Sequence, residues 1–217
     1  LFGADVVVNP VIKFYETDKP YGCFSNFSAH PVIIDGTRWP TTEHFFQAMK
    51  FTDQRDVDAV AAALTPFEAA QKGRDRTRSF RGDWDTVRDD VMLKALRAKF
   101  VQHDALADVL RSTGDAALVE HTRNDSYWAD GGDGRGLNRL GDLLGIVRGA
   151  LPPWPVPFCP PPWVMHPDIE VSDMFWRMGG GQGLLVAGSD FRRSLSGLAL
   201  DSFDAYFPVP DAWRHSW

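Results

Sequence analysis

The chain has 217 residues, 44% of them hydrophobic and 24% charged, enough to bury one full-sized core with a small appendage. A formal net charge of -6 argues against a broad electrostatic hold on DNA or RNA, and no apolar run reaches the ~20 residues that span a bilayer. The opening Leu-Phe-Gly-Ala-Asp lacks the basic region and apolar stretch of a signal peptide, so a cytoplasmic setting is expected, and the two cysteines, Cys23 and Cys159, suggest neither a disulfide framework nor a metal site.

After a leader of residues 1–10, Val11 to Tyr15 and His30 to Ile34 carry β-branched and aromatic residues between turn formers and read as short strands. Thr41 or Thr42 is placed to cap a helix running to about Phe51, with Glu43 in its first turn. A further helix is expected over Val57 to Leu64. Thr65-Pro66-Phe67-Glu68 then supplies a cap, a proline at the first helical position and a glutamate three residues after the cap, announcing a helix to Lys72. Apolar residues recur at Val87, Val91, Leu93, Leu96, Ala98 and Phe100, so Trp84 to His103 reads as the longest helix, continued by Asp104 to Arg111. Thr113-Gly114-Asp115 breaks the pattern, Ala117 to His121 resembles a buried strand, and a glycine-rich loop opens into an amphipathic helix from Asn138 to about Ala150. Seven prolines between Pro152 and Pro162 predict an extended connector. Beyond it, residues 163–217 hold four of the eight tryptophans with weak periodicity and no evident role beyond packing back on the main body or protein association.

Two constellations carry chemistry. Glu43, Gln47 and Lys50 are spaced by four and three and share one helix face, whereas Phe46 and Met49 lie elsewhere. Glu43, near the positive helix end, is expected to stay ionised and to stabilise a cationic transition state or activate water. Lys50 suits a phosphate contact or attack on an aldehydic sugar carbon. A solvated charged stripe fits the same spacing. The second constellation, Asn124 to Asn138, combines Tyr127, Trp128, Asp130, Asp133, Gly134 and neighbouring glycines ahead of a helix, a composition that fits either an anion-binding nest or an acidic surface loop. Trp84 and Trp128 are candidate stacking platforms for a flat base, Asn26 is a polar candidate, and the cluster Lys72, Arg74, Arg76, Arg78 and Arg81 is either an anion site or a solvated face. A Cys23 nucleophile partnered by His30 or His44 lacks any supporting signature.

Taken in order, Phe24-Ser25-Asn26-Phe27, Trp39-Pro40-Thr41-Thr42-Glu43-His44-Phe45-Phe46-Gln47-Ala48-Met49-Lys50, Gly73-Arg74, Ala98-Lys99-Phe100, and Tyr127-Trp128 through Gly136-Leu137-Asn138 resemble the NADAR (YbiA-like) family over about Val11 to Leu151. The resemblance implies an α+β, mostly helical domain over residues 11–151, followed by the proline-rich linker 152–162 and the Trp-rich extension 163–217. It also implies N-glycosidase chemistry on phosphorylated riboflavin-pathway intermediates or on ADP-ribosylated guanine, whether in a nucleoside or as a modified nucleic-acid base. By position it marks Glu43 and Lys50 as helix site residues, Trp84 and Trp128 as aromatic positions, and Asp130 or Asp133 as the acidic loop residue; Ala129 departs from the glycine expected there. Arg74, Asn26 and the Gly131 to Asn138 loop, with Gly134 and Asn138, would hold the phosphorylated part while Trp84 or Trp128 stacks on the base, and Trp39, Gln47 and Tyr127 are further substrate-binding candidates. No metal or redox cofactor is required. The alternative from another class is a non-catalytic module that binds ADP-ribose or NAD metabolites in the same pocket.

Overall fold

The structure is a computed structural model that describes residues 10–217; all but the last residue of the 1–10 leader lies outside the described residues. Strand β1 (Val11–Phe14) pairs in parallel with β4 (Ala117–Glu120), and β2 (Val32–Ile34) pairs antiparallel with β3 (Thr37–Trp39). Helices α1 (Thr42–Ala48), α2 (Gln54–Ala61), α3 (Pro66–Lys72), α4 (Trp84–Gln102), α5 (Asp104–Ser112) and α6 (Arg139–Ala150) complete the main body. The fold is α+β and mostly helical. Strand β3 is new relative to the sequence reading. It is only three residues long, too short to show alternation.

The local signals act as their chemistry dictates. Thr41 Oγ1 accepts the backbone N–H of His44 at 3.3 Å and caps α1. Thr65 Oγ1 accepts the N–H of Glu68 at 3.1 Å while Glu68 Oε2 accepts the N–H of Leu64 at 2.8 Å, so both ends of the cap satisfy otherwise orphaned donors of α3. Helix α4 is the axis of the molecule: it packs against α1, α5, α6 and β2, and buries Met92, Ala95, Leu96 and Phe100. One apolar cluster joins β1, β4, α4, α5 and α6 through Ile12, Phe14, Phe100, Leu110, Leu118 and Leu144; a second gathers Val32, Trp39, Phe45, Phe51 and Val60 between α1, α2 and the hairpin.

The proline-rich connector forms neither helix nor strand up to Pro161, bends at Pro155–Val156 and is held down. Phe158 covers Gly114 and meets Phe191 edge to face at 5.2 Å, and Trp154 Nε1 donates to Ser194 Oγ at 3.0 Å. After α7 (Pro162–Met165) come α8 (Gly179–Ser194) and α9 (Gly197–Tyr206), neither visible as a period in the sequence. Of the glycines that open helix α8, Gly181 has a packing reason: a Cβ there would stand 2.1 Å from the Phe175 carbonyl oxygen. Helix α9 lies on α5, and Phe191, Leu195, Phe203 and Phe207 enter the first apolar cluster. No helix among the described residues is long and apolar enough to cross a membrane.

Candidate active site

Helix α1 is short, and its entry is set by the Phe24–Phe27 turn. The Asn26 carbonyl accepts the N–H of Glu43 at 3.2 Å, Asn26 Oδ1 accepts the Thr42 hydroxyl at 3.0 Å, and Asn26 Nδ2 reaches Met92 Sδ at 3.1 Å. Asn26 therefore orients α1 on α4, although it also lines the cleft. A buried lysine secures the same turn: Lys99 Nζ donates to the Ser25 carbonyl at 2.9 Å and to Ser28 Oγ at 2.5 Å.

Every residue of α1 is buried, and Lys50, two residues past its end, is half-buried, so Glu43, Gln47 and Lys50 form no solvated stripe. Gln47 Nε2 donates to Glu43 Oε1 at 2.7 Å, and Lys50 Nζ sits 5.4 Å from the Phe46 ring centre and 5.6 Å from that of Trp84. A cavity of about 220 Å³ opens over this face, with Glu43, Gln47, Lys50, Asn26, Arg74 and Trp128 in its wall. Burial drives the Glu43 carboxyl above the usual carboxylate range, opposed by the Gln47 hydrogen bond and by Lys50 and Arg74. The ionised state expected from the helix end is thus countered by desolvation, the larger influence. Burial also lowers Lys50 to about 8, against the pull of Glu43 and with the help of Arg74 and Arg76.

The basic cluster divides. Lys72, Arg78 and Arg81 are spent on Glu68, Asp56 with Asp75, and Asp83, whereas Arg74 and Arg76 have no carboxylate partner among the described residues. Arg74 stands at the cleft and Arg76 lies over the Phe80 ring.

The loop after β4 departs most from its expected role. Its N–H groups close on the chain itself: those of Gly134 and Gly136 donate to the Asp130 carbonyl, that of Asn138 to Ala129, that of Arg139 to Tyr127 and that of Leu140 to Trp128. Donors already paired cannot cradle an anion, so the nest reading is corrected. Asp130 is buried under His121 Nδ1 at 2.7 Å and accepts the Gly132 N–H at 2.8 Å, while Asp133 is exposed and turns onto the Arg135 N–H. Neither lines the cleft, and Gly134 is an exposed turn residue. Asn138 acts as a clamp on β4, accepting from the Glu120 N–H at 3.0 Å and donating to the Leu118 carbonyl at 2.8 Å. Tyr127 is directed to Asp89 at 2.7 Å and is covered by Arg88. Trp39 packs on Phe45 in the second apolar cluster, and Trp84 backs Phe46 and Lys50. Of the candidate platforms only Trp128 is in the cleft wall.

The structure adds cleft residues that the sequence reading missed, chiefly Tyr15, Phe27, Glu120 and Asp125. Asp125 Oδ1 accepts the N–H groups of Tyr127 and Trp128, both at 2.7 Å, which aims the Trp128 indole. Glu120 closes β4, and a carboxylate ending an otherwise apolar strand was the available signal. Burial first, then Asp125 and Glu43, pushes Glu120 up to about 8.

Gly73 packs against Gln47 so closely that a Cβ there would stand 2.0 Å from Gln47 Oε1. Gly73→Ala should turn Gln47 off Glu43 and lower kcat about 10-fold or more, the scale of one hydrogen bond to a charged group. Gln47→Ala should match it, and a Gly73→Ala enzyme with unaltered kcat would show that this bond is dispensable.

A desolvated carboxylate and a desolvated amine in one cleft, with an arginine that has no carboxylate partner among the described residues, suit hydrolysis of a glycosidic bond, and it is the comparison with known proteins that gives the class, an N-glycosidase in an α+β scaffold. The model of the NADAR domain matches residues 13–152, and the chain belongs to the NADAR family. It is 50% identical over 146 residues to "N-glycosidase YbiA" of Escherichia coli (strain K12), a match spanning 67% of this chain and 91% of that protein. It is 40% identical over 145 residues to a riboflavin biosynthesis protein of Vibrio vulnificus (strain YJ016), spanning 67% of this chain and 40% of that one. The NMR structure of E. coli YbiA superposes with a TM-score of 0.62 at 50% identity, covering 65% of this chain and 84% of that chain.

Proposed function

We propose that the cleft hydrolyses the bond between a base nitrogen and C1′ of a phosphorylated ribose, in a riboflavin-pathway intermediate or an ADP-ribosylated guanine. The observation that carries this reading is the buried Glu43–Gln47 pair and the half-buried Lys50 opening on a cavity with Arg74, which has no carboxylate partner among the described residues, in its wall. Glu43 offers negative charge to the oxocarbenium-like state or directs water, Trp128 bounds the cleft, and Arg74 with Arg76 holds phosphate. The test is mass spectrometry of products from parallel incubations with the amino-pyrimidine ribose phosphate and with ADP-ribosylated guanosine. Release of the base from either supports hydrolysis. Tight binding of both with no release would leave a binding module in its place.

Lys50 has two roles open to it, a fixed charge on the sugar phosphate or an amine that captures the ring-opened sugar. Its descent to about 8 leaves a usable neutral fraction near pH 7.5 and favours the amine. Borohydride added during turnover should then fix a sugar-phosphate adduct on Lys50, and Lys50→Ala should lose both adduct and turnover. Turnover without any adduct would assign Lys50 the charge role.

A further inference from the structure

The 220 Å³ cavity over Glu43 is smaller than the ~300–1,000 Å³ that ligand sites usually occupy, and it does not end at its own walls. A second cavity of about 410 Å³ shares Tyr15, Phe27 and Glu120 with it. The two differ in charge. Both carry carboxylates, Glu43, Asp125 and Glu120 in the first and Glu16, Asp18 and Glu120 in the second, but only the first adds cations, Lys50 and Arg74. A phosphorylated sugar suits the first compartment, and an uncharged flat base with N–H donors suits the second, between the half-exposed rings of Tyr15 and Phe27. The bond joining sugar to base then crosses the shared wall.

We propose that Glu120 is the general acid of the reaction, placed at this junction to protonate the departing base, which the second cavity receives. The proposal rests on the N-glycosidase reading above. Glu120 ends β4 opposite Phe14, the last residue of β1, and Glu120 and the following Tyr15 both line the two cavities. Its carboxyl has no hydrogen bond or ion pair among the described residues. Around it stand Asp125 from the loop, Glu43 from α1 and Glu16 across the second cavity, with Lys50 and Arg74 confined to the first. Burial first, then Asp125 and Glu43, keeps it protonated to about pH 8. As the C1′–N bond breaks, its electron pair stays on nitrogen and the Glu120 proton moves there, leaving a neutral base and a carboxylate. Water then supplies the oxygen to C1′ and one proton back to Glu120. One water is consumed, and the products are the departing base, released as guanosine from the ADP-ribosylated nucleoside, and the sugar bearing a C1′ hydroxyl.

The test is the pH profile of Glu120→Gln with the amino-pyrimidine ribose phosphate and with ADP-ribosylated guanosine. Wild-type activity should fall above pH 8 as Glu120 loses its proton. In Glu120→Gln, kcat should drop about 100-fold with KM within about threefold, and the falling alkaline limb should vanish. A variant within threefold of wild-type kcat, or a persisting limb together with a Glu120 carboxyl that titrates in the ordinary range, overturns the assignment and leaves the N-glycosidase reading intact, since Lys50, also at about 8, can supply a limb of its own. Failure of wild type to release base from either substrate overturns that earlier reading instead. If Glu120→Gln does not fold, carbon-13 NMR of wild type labelled at glutamate Cδ, assigned against Glu120→Asp, reads the group directly. A titration near 8 supports the role, and one in the ordinary range of about 4–5 overturns it.

Discussion

Glu43→Gln is expected to lower kcat for base release by about 10²–10⁴-fold while the melting temperature stays within a few degrees of wild type. The glutamine keeps an oxygen where Glu43 Oε1 accepts the Gln47 amide at 2.7 Å, so the local packing survives. What disappears is the charge. Glu43 is 6% exposed, and holding a carboxylate there costs desolvation energy that the neutral amide does not incur, so stability should not fall. KM should change little if the charge acts mainly on the transition state. Unchanged turnover with an intact fold would move the chemistry away from α1.

Removal of residues 152–217 is expected to abolish cooperative folding or to lower the melting temperature by about 10 °C or more. The tail lies outside the stretch that matches the family model, yet it has become part of this chain's core. Phe191 and Phe203 are buried at 0% and 2% exposure and pack edge to face at 5.6 Å. The Tyr206 hydroxyl accepts the Lys13 N–H at 2.8 Å and donates to the Val11 carbonyl at 3.3 Å, so α9 also closes the free edge of β1. Phe203→Ala separates packing from gross truncation. It should cost about 3–5 kcal/mol, and it should leave kcat at low temperature unaltered because Phe203 does not line the cleft. A truncated chain with wild-type melting, solubility and activity would show that the tail serves neither the fold nor association.

Much of the helical scaffold was legible because its signals are local. Thr65 and Glu68 exchange hydrogen bonds within four residues, and the apolar period of 84–102 needs no distant partner to be read. Helices α8 and α9 were not legible. Their glycines and scattered aromatics are explained only by the surfaces they meet, the Phe175 carbonyl above Gly181 and the α5 face beneath α9.

The candidate site divides along the same line. Spacing along the chain determined that Glu43 and Gln47 share a face of α1, because the helical period sets direction about an axis, whereas Lys50 lies past the last turn and reaches the same cleft from there. The ordered motifs determined the family. Only tertiary structure decided that this face is buried, which raises Glu43, lowers Lys50 and turns a possible charged stripe into a desolvated pair. It likewise turned Asp130, Asp133, Gly134 and Asn138 inward or outward from the cleft, and it brought Tyr15, Phe27, Glu120 and Asp125 from distant positions to its walls. The physical reason is that sequence spacing specifies neighbours along one element, whereas dielectric, hydrogen-bond competition and cavity shape arise where separate elements meet.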